Sequence, residues 1–571
     1  MYRKNEKHRQ KPLFSSLNDL PAKEQQRLSD SWAGTFYAEC FSRIDEDAFA
    51  VLYSEEASRP NIAVNVLVSL EIMKSGFGWS DAELESALHF DLQVRYALGY
   101  RNLDEGHFEL RTVYNFRRRL TDHMQQTGEN LLEQAFEQIT DEQLCALEIR
   151  TEKLRMDSFQ IASNMREMSR LQLLVEVLQR MARCLSELDE ARYEALLAPY
   201  LKGSSGQYVY HLKVGEGHRH LQAIGQVMRQ LLNELAPTYA DEAAYAVLQR
   251  VYEEHFVEVD SHLRPKMGSE LSASSLQSPD DWEASYRQKG GQGYQGYVTN
   301  LTETCHPENE VQLIVKVQTE ANTTDDAQML VDALPNLQAR TELGALYTDG
   351  GYNSEAVDEA LTDDIELIQS AIRGRSPNEA RLNLTDFEWA VDGQGIAQEV
   401  TCPAGQTVPV QPARQQDRYL ARFDNTLCQD CPLLEQCPTQ PLKQHPQRVL
   451  RFTKRQVTTA RRRQRRRDQD QNLRSAVEAS VRSVKHPFGN GKLPVRGRIR
   501  VSMMMVASAA MTNVRRIWRY EIMKQEAKAM AMTVQNTQEQ TPFAVFPSPN
   551  GLLFRFFVRF TRRTAFQPAT A

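Results

Sequence analysis

The stretch Gln471-Asn472-Leu473-Arg474-Ser475-Ala476-Val477-Glu478-Ala479-Ser480-Val481-Arg482-Ser483-Val484-Lys485 decides how the rest of this chain is read. At about 100° per residue it predicts one helix. Leu473, Ala476, Val477, Val481 and Val484 share an apolar side, and Gln471, Arg474, Glu478, Arg482 and Lys485 share an adjoining polar stripe. One acid among cations on that stripe reads in two ways. It is either a solvated face with i,i+4 pairs, or a helix carrying a single metal-binding carboxylate, Glu478, into a site where Arg474 and Lys485 hold phosphates.

The whole chain, 571 residues with 41% hydrophobic and 25% charged residues, is that of a globular protein with several domains. No apolar run approaches the ~20 residues that span a bilayer. The opening Met1-Tyr2-Arg3-Lys4 leads into no secretory-type apolar segment, so a cytoplasmic, nucleoid-associated location is expected. The net charge of −7 hides an asymmetry: residues 441–520 hold 21 Lys and Arg against Asp468, Asp470 and Glu478. A basic segment inside an acidic protein points to a polyanion held at one place, nucleic acid first. A solvated linker gives the same composition.

Residues 1–130 read as a helical head. Ser80-Asp81-Ala82-Glu83 is a capping box that opens a helix, and Thr112 to Leu120 carries Arg117, Arg118 and Arg119 around Phe116. A DNA-binding head and a plain helical bundle both fit. Glu152 to Phe159 alternates as a strand with Asp157 near its end, and residues 169–284 follow as an acidic, mainly helical insertion. Strand signals return at Gly296 to Leu301, Val311 to Val317, Leu343 to Thr348 and Asp363 to Gln369, with a helix after Asp326 and another after Ser354. Residues 150–168 and 285–374 therefore read as a mixed α/β sheet. Residues 375–451 read as a loop-rich, cysteine-bearing insertion, and 452–522 as a basic segment completing the core, with a last apolar helix from Ile499 to Tyr520. Residues 523–571 read as a disordered tail.

Asp157 and Asp349 lie at or near strand ends, where ligands collect in open α/β sheets. With Glu478 they make three acids, enough for two Mg²⁺ ions or, in their place, Mn²⁺ in an in-line phosphoryl displacement. Taken singly, Asp349 before Gly350-Gly351 also reads as a turn former and Asp157 as a loop cap.

Three segments together resemble the carboxylate motifs of bacterial insertion-sequence transposases of the DDE type. They are Leu154-Arg155-Met156-Asp157-Ser158-Phe159 with Ser163-Asn164-Met165; Tyr347-Thr348-Asp349-Gly350-Gly351-Tyr352; and Arg474 to Lys485. In one branch the last motif runs Tyr, Arg, Glu, Lys. Here Arg474, Glu478 and Lys485 keep the spacing, and Gln471 stands where that branch has Tyr. Arg59-Pro60-Asn61, Ser80 to Leu84, Arg95 to Gly99 and Phe116 to Leu120 are similar to the N-terminal domain of InsH-like transposases. The resemblance implies an RNase H-like core that cuts element ends and joins their 3′-hydroxyls to target DNA, in a homodimer or larger synaptic complex. It places metals on Asp157, Asp349 and Glu478, with Asp157 bridging, and terminal phosphates on Arg474 and Lys485. A DNA-binding protein without catalysis, or a nuclease without strand transfer, would share these residues.

The run Arg461-Arg462-Arg463-Gln464-Arg465-Arg466-Arg467, and Arg496 and Arg498 in the Gly-rich loop beyond, are further candidates for phosphate contacts. Cys402, Cys428, Cys431 and Cys437 are compatible with a structural Zn²⁺ site in a segment with little core of its own; thiols without metal are the alternative. Cys40, Cys145, Cys184 and Cys305 read as buried apolar residues.

Overall fold

The computed structural model describes the chain apart from residues 1, 11–14, 55, 57–59, 261, 363, 371–377, 379, 394, 416, 444, 468–472 and 540–571, and apart from the side chains of 532–539. It is a mixed α/β protein. The central sheet comprises β1 (Lys153–Ile161), β2 (Ser285–Lys289), β3 (Gln292–Thr304), β4 (Ile314–Ala321), β5 (Ala345–Thr348) and β6 (Glu366–Gln369), in the order β2-β3-β1-β5-β6 with β4 also on β3. β1, β3 and β4 pair antiparallel, whereas β1, β5 and β6 run parallel. Every residue of β5 is buried, as expected of a parallel strand covered on both faces. One cover is the helix Asp326–Arg340, whose Leu330, Ala333, Leu334 and Leu337 pack with Leu154, Met156 and Leu346.

The helical head packs on this core. Phe36, Leu67, Leu70 and Met73 join Tyr297, Leu301, Val501, Met505 and Met511 in one hydrophobic cluster. Lys316 on β4 pairs with Glu133 and Glu137 of the helix Leu131–Ala146. The capping box is present as the sequence predicts: Glu83 N–H donates to Ser80 Oγ at 3.2 Å and Ser80 N–H to Glu83 Oε2 at 2.7 Å. The acidic insertion has its own core around Leu174, Leu178, Met228, Leu248 and Val251.

Several expectations change. Asp157 lies inside β1 rather than at its end, yet the parallel pairing with β5 stops at Arg155 opposite Tyr347. The cysteine-bearing segment is not loop-rich. It forms a six-stranded antiparallel sheet from Glu388 to Thr453, with a core of Phe387, Val400, Phe423, Leu450 and Phe452. The alternation in Arg418–Asp424, which buries Ala421 and Phe423 and exposes Arg422, was its signal. The final helix runs from Arg498 to Glu539, past the expected end at Tyr520 and into the segment read as a disordered tail. Cys145 and Cys184 are exposed; Cys40 and Cys305 are buried as expected.

Gly76 lets the head helix Val64–Phe77 approach the long C-terminal helix, because a Cβ there would run into Met511. Gly76→Val should destabilise the protein by about 1–3 kcal/mol through overpacking, seen as a lower urea midpoint. An unchanged midpoint would mean that this contact is not made.

Candidate functional site

Extending the parallel register two residues past Arg155 and Tyr347 brings Asp157 beside Asp349. Asp349 starts the turn Gly350–Tyr352, and its Oδ1 accepts the Gly351 N–H at 2.7 Å. The turn is anchored by Tyr352, fully buried, whose hydroxyl donates to Asn300 Oδ1 at 2.8 Å. Asp349 is therefore a turn former and a member of an acid pair at once.

Burial raises the pKa of Asp157, and the Asp349 carboxylate adds to the rise while Arg474 works against it. The Arg474 guanidinium sits against the pair, with Nη2 3.0 Å from Asp157 Oδ2 and Nη1 4.0 Å from Glu478 Oε1. Burial opposes the Arg474 charge, but Asp157, then Asp349 and Glu478, raise its pKa overall. One cation thus faces all three acids that the sequence singled out. Glu478 itself is exposed at 67% of its side-chain surface, so it can still turn toward the pair.

The helix expected from Gln471 begins only at Val477; residues 473–476 form a turn, and Gln471 lies outside the described residues. Within this helix Val477, Ser480 and Val484 face inward, and Ala476 is exposed instead of buried. Arg474 on the turn is free of helical geometry and reaches back to β1. What holds the turn and helix in place is a network the sequence reading missed. Glu303 of β3, with no exposed surface, accepts from Arg155 Nε at 2.6 Å, from Arg516 Nη1 at 2.8 Å and from the Ser480 hydroxyl at 2.5 Å. Arg155 also donates to the Leu473 carbonyl at 2.9 Å. An acid within the strand Thr302-Glu303-Thr304 was the available signal, but its partners lie 148 to 213 residues away.

The other candidates are spread out. Lys485 donates to the Gln160 carbonyl at 3.1 Å and lies over Phe159, and burial lowers its pKa. On the helix Lys454–Arg467, Arg462 is buried and paired with Asp358 at 2.5 Å, Arg465 pairs with Glu366 and Arg467 with Asp386. Those charges fasten the helix to the protein. Arg463 lines a groove with Arg455 and Asn353, and Arg466 is exposed; Arg461 belongs to the same helix. Arg496 pairs with Asp280, and Arg498 with Glu283 and Glu320.

Cys402 sits in a tight turn in which Gly405 N–H donates to its carbonyl at 2.8 Å and Gln406 N–H to its Sγ at 3.4 Å. Burial raises the Cys428 pKa, and Cys437, Cys402 and Cys431 each add to the rise while Arg448 opposes it. As the side chains stand, no group of three or more His, Cys, Asp or Glu among the described residues is arranged to hold a metal ion. The donor types nevertheless fit: hard carboxylate oxygens at one place and thiols at the other.

Residues 401–518 match the family model described as a transposase DDE domain, and residues 25–119 match one described as a transposase domain (DUF772). Over these two segments the chain is similar to DDE transposases. Glu478 and the four cysteines Cys402, Cys428, Cys431 and Cys437 fall in the first match and much of the head in the second, while Asp157 and Asp349 lie outside both. No curated protein matches the chain, and no solved structure does. Among its described residues no helix is long and apolar enough to cross a membrane.

Replacing Glu303 by Ala leaves the buried Arg155 and the partly buried Arg516 around no acid. It should cost about 3–5 kcal/mol of stability and raise amide exchange across residues 473–485. Wild-type protection in that segment would show that the network does not hold it.

Proposed function

We propose that this protein cleaves DNA at the ends of an insertion sequence and transfers the freed 3′-hydroxyls to target DNA. The observation that carries the reading is the acid pair Asp157 and Asp349 on adjacent parallel strands, with Arg474 and Glu478 closing over it. The strand order β4-β3-β1-β5-β6, three antiparallel and then parallel, supports an RNase H-like core. In this reading residues 1–130 are the DNA-binding head, and the acidic and cysteine-bearing segments are insertions into the core.

Asp157, Asp349 and Glu478 would hold two divalent ions, Mg²⁺ or Mn²⁺. Bound there, the ions supply charge neutralisation at the attacking and leaving oxygens of an in-line displacement. Arg474 opposes the burial cost of the Asp157 carboxylate in the protein alone, then passes to a DNA phosphate when the site fills. Arg463 and Arg466 lie along the path of a bound strand, with Arg461 on the same helix. The buried network at Glu303 keeps the Glu478 helix rigid. A homodimer or larger synaptic assembly would bring two ends together. Cys402, Cys428, Cys431 and Cys437 would hold a structural Zn²⁺, pinning the open end of the antiparallel sheet.

Three outcomes are expected. In a gel assay with labelled element ends, Mg²⁺ and a target plasmid, Asp157→Asn and Asp349→Asn each lower cleavage by roughly a hundredfold or more while end binding persists. Retained cleavage contradicts the assignment, wild-type binding without cleavage marks a non-catalytic DNA-binding protein, and cleavage without joined products marks a nuclease. Arg474→Ala removes the cation that competes for the acids, so calorimetric Mn²⁺ affinity of the free protein rises by roughly threefold or more even as cleavage falls; lower Mn²⁺ affinity refutes the exchange. Elemental analysis of the purified protein finds about one zinc per chain, lost in Cys428→Ser and Cys431→Ser together, and its absence from native protein refutes the zinc site.

A further inference from the structure

A cavity of about 810 Å³ away from the acids lies between the acidic helical insertion and the edge of the central sheet. Its walls come from the helices Arg170–Ala182 and Ala243–His255, the loop Gly268 to Gln277, β2, and the turn Asn322 to Asp325. That turn leads into Asp326, whose Oδ1 accepts from the Ser158 hydroxyl next to Asp157.

Four lining residues present buried polar atoms with no partner: both ring nitrogens of His255, Arg170 Nε, Gln295 Oε1 and Asn322 Oδ1. His255 is 4% exposed and Asn322 1%. Leaving such atoms unmet costs about 1–3 kcal/mol each, so their gathering on one cavity argues for a ligand that meets them. They sort by chemistry. Arg170 uses Nη1 and Nη2 on the carbonyls of Lys266 and His255, at 2.6 and 2.7 Å, and burial alone accounts for its lowered pKa, with no acid offsetting it. An anionic group answers a desolvated guanidinium of that kind. His255, held neutral by burial with its pKa down at about 3, offers one donor and one acceptor. Gln295 Oε1 and Asn322 Oδ1 ask for N–H donors. Asn322 is oriented by its Nδ2, which donates to the carbonyls of Ser285 and Tyr294. Leu173, Leu276 and the Tyr286 ring supply apolar lining.

A ligand that carries an anion, N–H donors and apolar surface together answers this set of groups, and a nucleotide has all three. We infer that this cavity binds a nucleoside 5′-monophosphate unit, its phosphate on Arg170 beside His255 and its base edge on Asn322 and Gln295. Free nucleotides and the 5′-phosphorylated end of a DNA strand present the same chemistry. The pocket goes beyond the proposed cleavage reaction and is independent of the acids.

The test is calorimetric titration of the full-length protein, without divalent metal, with the four deoxynucleoside 5′-monophosphates, with inorganic phosphate and with a 5′-phosphorylated single-stranded tetranucleotide. At least one mononucleotide or the tetranucleotide should bind saturably, and Gln295→Leu and Arg170→Gln should each weaken it about tenfold or more. Gln295→Leu removes an acceptor that holds no structural bond here, so its thermal midpoint should match wild type even if Arg170→Gln unfolds. Tetranucleotide binding well above that of the mononucleotides identifies a strand end as the source, and the reverse identifies free nucleotide. No saturable binding by either, binding unaffected by Gln295→Leu, or inorganic phosphate binding as tightly as any nucleotide overturns the inference.

Discussion

The buried carboxylate of Glu303 is the constraint on which the site depends. Two guanidiniums, Arg155 from the central strand and Arg516 from the C-terminal helix, converge on it with the Ser480 hydroxyl. A buried charge is tolerated only when its partners are in place, so the arrangement admits one seating of the helix Val477–Lys485 against the sheet. Without it, that helix would rest mainly on the apolar contacts of Val477 and Val484 and on hydrogen bonds near its C-terminal end, and apolar contacts are non-directional. The network turns a greasy contact into a defined one, and so fixes where Arg474 and Glu478 stand relative to Asp157.

Around that frame, charge is distributed with two purposes. The strongly basic stretch is less of a free polycation than its composition implies. Arg462, Arg465 and Arg467 answer Asp358, Glu366 and Asp386, and Arg498 answers Glu283 and Glu320. Part of the acidity elsewhere in the chain is therefore the counterpart of this segment. At the acids the balance is tighter. Asp157 and Asp349 repel each other in a half-dry setting, and Arg474 relieves that repulsion in the protein alone.

Local patterns carried much of this. The apolar run ending at Asp349-Gly350-Gly351 marked a buried strand and its turn, and the Ser80/Glu83 capping box marked a helix start. The helical insertion after Ser169 followed from its apolar spacing. What stayed hidden depended on distant partners. The helix start slipped from Gln471 to Val477 because Arg474 and the Leu473 carbonyl bind β1 instead of extending the helix. The antiparallel sheet around the cysteines was masked by its turns and short strands, although the alternation in Arg418–Asp424 was there to be read. Asp157 looked like a strand end because its parallel partner stops short, while β3 continues beside it.

The account's central claim is that Asp157 and Asp349 form one divalent-metal site. Anomalous diffraction from crystals of the protein grown with Mn²⁺ tests it most directly. The expected result is a Mn²⁺ peak within about 2.0–2.3 Å of an oxygen from each of these two carboxylates, with Arg474 withdrawn from Asp157. Ordered Mn²⁺ bound elsewhere, with both carboxylates still facing Arg474 at saturating metal, would contradict it.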